Sequence, residues 1–187
     1  VRARLTTERV ALTGRRVRLR EFSADDLDGV RGIVGDDRVT YYLNINSRNA
    51  EQARQLLDGI IERARLCPRS DYYLAVTSLG EDRVVGFTRL LLGDFEAAEL
   101  RFAIAHDYQR RGYATDAVRT MLDFGFGTLG LHRVTAAVGP ENAVSLALVE
   151  QLGFTREGVL RDHVFTGGAW RDSILYSVLA QEWRTRG

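Results

Sequence analysis

The stretch AIAHDYQRRGYATDAVRTML, residues 103–122, constrains the fold more tightly than any other part of the chain. An apolar, strand-like run leads into it, and Ala114, Ala117, Val118, Met121 and Leu122 then recur at helical spacing. A strand must therefore pass into a helix through two arginines and a glycine. No Ser, Thr, Asp or Asn stands directly ahead of Gly112, so the first backbone N–H groups of the helix lack a side-chain cap. The helix dipole concentrates partial positive charge at the same point, and Gly112 allows close approach of the backbone. An anion fits there, and two linked phosphates fit better than one. The alternative is that water and the preceding loop satisfy the turn while the arginines are simply solvated. The turn is neither a Walker A loop, which needs G-x-x-x-x-G-K-[ST], nor a dinucleotide fingerprint, which needs G-x-G-x-x-G.

The rest of the chain supplies what surrounds this turn. RRVRLREF (15–22) alternates basic and apolar residues as a strand with one buried face. Ser23 is placed to cap a helix over ADDLDGVRGIV, and SRNAEQARQLLDGIIERARL forms a second helix, with Ala53, Leu56, Leu57, Ile60, Ile61 and Ala64 on one face. Residues 41–47 have no clear assignment. Strands follow at 71–78, 83–93 and 98–106, then the helix over about 112–127, a strand at 132–138 and a helix from about 143 to 152. Two closing strands meet at Gly167 and Gly168. Strands interrupted by helices, with no repeat or linker, indicate one α+β (mixed α/β) domain over 1–187.

Composition removes several function classes. Cys67 is the single cysteine, so an intramolecular disulfide, a CxxC pair and a cysteine-built zinc site are excluded; no metal is expected. No apolar run approaches the length of a membrane span and the opening VRARLTTERV lacks a leader, which points to a cytoplasmic protein with no membrane partner. A net charge of +1 gives no reason to expect nucleic acid, and the arginines of RRVRLR, alternating on a strand, more simply face water. All 26 side-chain cations are Arg, so an anion clamp must be guanidinium or backbone and a catalytic lysine is ruled out.

QRRGYA (Gln109–Ala114) resembles the Q/R-x-x-G-x-G/A pyrophosphate loop of the GCN5-related N-acetyltransferases, the GNAT family. NAVSLALVEQLGF (142–154) is similar to that family's next block. The opening ALTGRRVRLREFSADD and the closing EGVLRD…GAWRDSILYSVL resemble the RimJ/RimL-type branch, which acetylates N-termini of ribosomal proteins. The resemblance covers nearly the whole chain. It implies a GNAT fold: a mostly antiparallel twisted sheet with a splayed parallel strand pair and helices on both faces. It further implies acetyl-CoA as co-substrate, held between strands 98–106 and 132–138. Backbone at Phe102, Ala103 and Ile104 would pair with the pantetheine arm, and the loop Gln109, Arg110, Arg111, Gly112, Tyr113 and Ala114 would hold the pyrophosphate. One of the two arginines is equally open to solvation or to a 3′-phosphate. Asn142 would touch the pantetheine arm, cap the helix behind it, or do both.

Direct attack of an amine on a thioester needs a neutral amine, a polarised carbonyl and a proton for the departing thiolate. Many family members supply that proton from a Tyr seven residues after the Asn; here the position is Val149. Ser145 matches the Ser of the RimJ/RimL-type block and becomes the candidate donor, its alternative being a back-bond to a helix carbonyl. Glu99, on the strand beside the cleft, is the candidate base, unless it pairs with Arg101; Glu157 is the second choice. Where ribosomal relatives carry a further Glu, this chain has Val164 beside His163, which is more simply structural than basic. An α-amine with pKa about 7.7–8.0 is substantially neutral near neutral pH, whereas a lysine amine is neutral in only about one molecule in a thousand. Absence of a strong base therefore favours an α-amine of a protein N-terminus or an aminoacyl-type molecule. An antibiotic or polyamine acceptor stays open through the acids Asp94, Glu96 and Glu99, as does a CoA-binding module without catalysis. Cys67 lies far in sequence from the cofactor blocks and is no acetyl carrier. Trp170 is left to an acceptor groove or a contact between copies, so a homodimer is open.

Overall fold

Strand alternation divides the apolar residues between two faces of one sheet. The computed structural model describes residues 9–43 and 45–185, so most of the opening stretch VRARLTTERV lies outside the described residues. The strands are β1 (Ala11–Thr13), β2 (Val17–Glu21), β3 (Asp71–Ser78), β4 (Val84–Leu92), β5 (Ala97–Ile104), β6 (Arg133–Val138), β7 (Thr155–Thr166) and β8 (Ala169–Leu179). The helices are α1 (Leu27–Val34), α2 (Asp37–Thr40), α3 (Ala50–Ala64), α4 (Tyr113–Gly127), α5 (Ala143–Gln151) and α6 (Ala180–Arg184). The strands form one sheet in the order β1-β2-β3-β4-β5-β6-β8-β7, antiparallel throughout except for β5 beside β6.

On β3, Tyr72, Leu74 and Val76 point to one core, where they meet Val118, Met121 and Leu122 of α4 and Leu148 and Val149 of α5. Tyr73 and Ala75 point the other way, toward Val30 and Ile33 of α1 and Ala53, Leu57 and Ile60 of α3. The period-two switch of a strand thus builds two cores, and helices cover both faces of the sheet.

Element boundaries differ from expectation where side chains compete with the backbone. The helix after Ser23 opens as a 3₁₀ turn over Ala24–Asp26, because the Asp26 carboxylate accepts from Ser23 N at 2.7 Å and from Ser23 Oγ at 3.2 Å. The second helix begins beyond Asn49, not at Ser47. The reciprocal Asn49–Gln52 capping box, with contacts of 2.9 and 3.0 Å, sets that start. The strand expected over 98–106 stops at Ile104, and His106–Tyr108 forms a 3₁₀ turn.

Candidate active site

The parallel pair is joined over only three positions, Ala97↔Arg133, Ala98↔Val134 and Glu99↔Thr135. Beyond them β5 keeps its ladder to β4 as far as Ile104↔Gly86, while β6 keeps its ladder to β8 as far as Val138↔Ile174. Each strand therefore stays bound to its outer neighbour while the inner edges part. A cleft of about 1290 Å³ opens there, lined by Phe102, Ala103 and Ile104 on one side and by residues of α5 on the other. Backbone groups on a parted edge can accept an extended ligand in the manner of an added strand.

The basic turn forms the mouth of this cleft. Gln109 Nε2 donates to Ile104 O at 3.1 Å and ties the turn to the end of β5. Arg110 (φ 61°) and Gly112 (φ 76°) both adopt left-handed backbone, a pattern that turns successive N–H groups into a shared hollow. Gly112 is the N-cap residue of α4 and no side chain caps it; the first helical bond runs from Asp116 N to Gly112 O. The N–H groups of Arg110 through Thr115 find no acceptor among the described residues. Residues 109, 110 and 112–115 line the cleft, whereas Arg111 does not. Its guanidinium donates to Asp107 O at 3.0 Å and lies 5.2 Å from the Tyr108 ring centroid.

Across the cleft, Asn142 caps α5: its Oδ1 accepts from Ser145 N at 3.1 Å, and its Nδ2 donates to Tyr42 O at 3.4 Å. Ser145 is half-buried and lines the cleft, and its hydroxyl has no hydrogen-bond partner among the described residues. The opposite rim is made of side chains. Tyr41 Oη donates to Glu141 Oε2 at 2.8 Å, and Arg171 Nη1 lies 3.5 Å from the same oxygen. The Arg171 guanidinium stacks 5.0 Å from the Tyr41 ring centroid, while its shielded Nε has no partner among the described residues. Asn46 Oδ1 accepts from Thr166 Oγ1 at 3.3 Å and Gly167 N at 3.2 Å, fastening the chain at Asn46 to the β7–β8 hairpin.

A phosphate hollow of orphan N–H groups and a strand edge open beside it match an elongated, phosphate-ended ligand. Residues 16–155 match the family model described as an acetyltransferase (GNAT) domain. The chain belongs to the GNAT acetyltransferase family. It is 30% identical over 171 residues to an uncharacterized N-acetyltransferase, p20, of Bacillus licheniformis, covering 90% of this chain and 95% of that one. It is 28% identical over 117 residues to the [ribosomal protein uS5]-alanine N-acetyltransferase of Escherichia coli, covering 61% of this chain and 60% of that one. Among solved structures it is similar to Mycobacterium smegmatis RimJ in complex with CoA-disulfide. That match has a TM-score of 0.79 and 25% identity, and covers 93% of this chain and 88% of that one.

GNAT enzymes take their acetyl group from acetyl-CoA, and the residues present fit that molecule: donors for a pyrophosphate at 110–115 and a parted edge for an extended arm. The structure brings Phe102, Ala103, Ile104, Gln109, Arg110, Gly112, Tyr113, Ala114, Asn142 and Ser145 to one cleft. It does not bring Glu99 there. That carboxylate accepts from Arg101 Nε at 2.7 Å, because residues two apart on a strand share a face. Glu157 also lies away from the cleft. It accepts from Ser177 Oγ and, at 3.0 Å, from Arg133 Nη2, and these bonds hold its carboxyl below the usual range. His163 sits on β7 with Nδ1 3.0 Å from Ser173 Oγ, and Val149 is fully buried in the core.

Asp94 and Glu96 belong to the β4–β5 turn and are not among the residues that line the cleft. Trp170 packs edge-to-face on Phe165, centroids 5.3 Å apart, near the tip of the β7–β8 hairpin, and both rings are exposed. The rim residues Tyr41, Glu141 and Arg171 escaped sequence reasoning, since no spacing links positions so far apart. Among the described residues, no helix is long and apolar enough to cross a membrane, and no group of three or more His, Cys, Asp or Glu is placed to hold a metal.

Proposed function

We propose that this GNAT enzyme acetylates an α-amine, either the N-terminus of a peptide or a small aminoacyl-type molecule. The observation that carries this reading is the state of the carboxylates lining the cleft. Asp37 is bonded by Ser47 Oγ, and Glu141 is shared by Tyr41 and Arg171. Each already has a hydrogen-bonding partner, so the described lining holds no unpartnered carboxylate poised as a base for a strongly basic amine. An α-amine, with pKa about 7.7–8.0, presents its neutral form without such help. The acids of the β4–β5 turn lend no support to a polycationic acceptor, because they do not reach the cleft. The relative named for uS5-alanine acetylation agrees with an α-amine acceptor, though it matches over only 61% of this chain.

Acetyl-CoA, when bound, supplies a thioester carbonyl and a thiolate leaving group. The residues around it divide the remaining work. The N–H groups of 110–115 and the α4 dipole fix the pyrophosphate end. The parted edge at Phe102–Ile104 orients the arm so that the reacting end lies beside α5. Asn142, by capping α5, sets the position of Ser145, whose uncommitted hydroxyl can pass a proton to the departing sulfur and recover one from the nitrogen that has attacked.

The test is Ser145→Ala assayed by CoA release against N-terminal peptides, aminoacyl compounds, polyamines and aminoglycosides, with acetyl-CoA binding measured in parallel. The expected result is turnover on α-amines that falls about 100-fold in Ser145→Ala, with Kd for acetyl-CoA kept within about twofold. Preferred turnover of polyamines would overturn the acceptor class, and an unchanged kcat in Ser145→Ala would remove the serine from the chemistry.

A further inference from the structure

The turn between β1 and β2 is held against the first turn of α4 by a buried carboxylate. Asp116 accepts from the backbone N–H groups of Arg15 at 3.1 Å, Arg16 at 2.7 Å and Val17 at 3.1 Å. The turn closes on itself through Gly14 N donating to Val17 O at 2.8 Å. It presses so closely on α4 that a Cβ at Gly14 would lie 2.6 Å from Thr120 Oγ1 and would collide with the Asp116 carboxylate. These contacts join positions about a hundred residues apart and leave the turn little freedom.

One consequence falls on Arg16. Its side chain runs over Gly112, with Cδ and Nε 3.5 Å and Cζ 3.9 Å from where a Cβ on that glycine would sit. The guanidinium makes no ion pair or side-chain hydrogen bond with any described residue, although Arg16 is the residue whose N–H makes the shortest bond to Asp116. It lies outside the residues that line the cleft but over the positive end of a fifteen-residue helix, beside N–H groups that have no acceptor among the described residues. A fixed cation at the positive end of a helix is electrostatically unfavourable unless an anion is shared between them. A merely solvated arginine would gain by turning away from this site, as Arg111 does toward Asp107 and Tyr108.

We infer that Arg16 is a phosphate ligand of the bound CoA, held over the loop because Asp116 fixes the backbone of its turn, and acting with the backbone donors of residues 110–115. Asp116 is then a positioning residue: it sets the path of the turn and touches no part of the ligand. The inference rests on reading the 109–115 loop as the pyrophosphate site. The phosphate that Arg16 meets is either the pyrophosphate or the 3′-phosphate, and the ligand series below separates them.

Isothermal titration of wild type, Arg16→Ala and Arg16→Lys would use CoA, 3′-dephospho-CoA and a pantetheine derivative without phosphates. Thermal melts would confirm that the exposed substitutions leave the fold intact. Arg16→Ala is expected to raise Kd for CoA about tenfold, with Arg16→Lys recovering part of the loss, since a lysine keeps the charge but not the planar fork. A penalty that disappears with dephospho-CoA assigns Arg16 to the 3′-phosphate. One that persists with dephospho-CoA and disappears with the pantetheine derivative assigns it to the pyrophosphate. A Kd for CoA within twofold of wild type in Arg16→Ala would overturn the assignment, as would an equal penalty on the derivative without phosphates. Failure of the wild type itself to bind CoA would overturn the loop reading together with it.

Discussion

The two ends of the cleft are built from different materials. At the mouth formed by the basic turn, donors come from consecutive backbone N–H groups in one short loop, and the helix behind them fixes their direction. At the opposite rim, Tyr41 meets Glu141 across 100 residues of chain and Asn46 meets Gly167 across 121. The first end needs only a local backbone conformation to exist, so it is stiff and indifferent to most side chains. The second exists only when three separate segments arrive together, and its polar contacts are partly exposed. Under the proposed function, recognition of the constant part of the reaction would sit on rigid backbone and recognition of the variable part on replaceable side chains.

This contrast can be broken most forcefully at Asp116. Asp116→Ala leaves three backbone donors without their acceptor and should cost about 3 kcal/mol of stability. Denaturant unfolding would show it, and a loss below about 1 kcal/mol would mean the β1–β2 turn is not held from α4. Gly112→Val forces a β-branched residue to φ 76°, a conformation that costs about 1–2 kcal/mol. Kd for acetyl-CoA should rise about tenfold while the acceptor KM stays put; unaltered binding would show that the loop donors are not what holds the ligand.

At the rim the expected effects are smaller and of the opposite kind. Glu141→Gln removes the charge shared by Tyr41 and Arg171 and should change the acceptor KM about three- to fivefold, with CoA affinity unchanged and stability lowered by less than about 1 kcal/mol. A matching loss of CoA affinity would erase the distinction between the ends.

The smallest effect concerns the layer that carries the rim. Asp26 ties the start of α1 to Arg20 of β2 through contacts of 2.8 and 2.9 Å. Burial opposes its ionisation, but these bonds and the Ser23 N–H outweigh burial and hold the carboxyl below its ordinary value of 3.8. A lowered folded pKa means the stabilisation is complete above that ordinary value and is lost as pH falls through the folded one. Melting temperature should therefore decline in acid below about pH 4 more steeply for wild type than for Asp26→Asn, and equal slopes would remove Asp26 from the acid response.

Legibility followed the range of the interactions. The strands, the long helices and the uncapped basic turn could be read from spacing because each depends on residues within a few positions of one another. The Asn142 cap was readable for the same reason, since a cap and the first turn behind it form one local unit. Glu99 could not be placed from spacing alone. Its strand passes the cleft, but alternation puts its side chain with Arg101, and the hydrogen-bonded register with Thr135 leaves it on the closed side of the splay.

The sequence by itself determined the period of each element, the glycine that lets the loop turn left-handed, and the lack of a side-chain cap that makes the loop an anion hollow. Those are properties of neighbouring residues and need no fold to be true. Only the tertiary structure decided which strands part, which arginine stays over the loop, and which three segments form the rim. Each of those depends on a contact between residues distant in the chain, and a sequence pattern carries no information about such a contact until packing brings the two surfaces together.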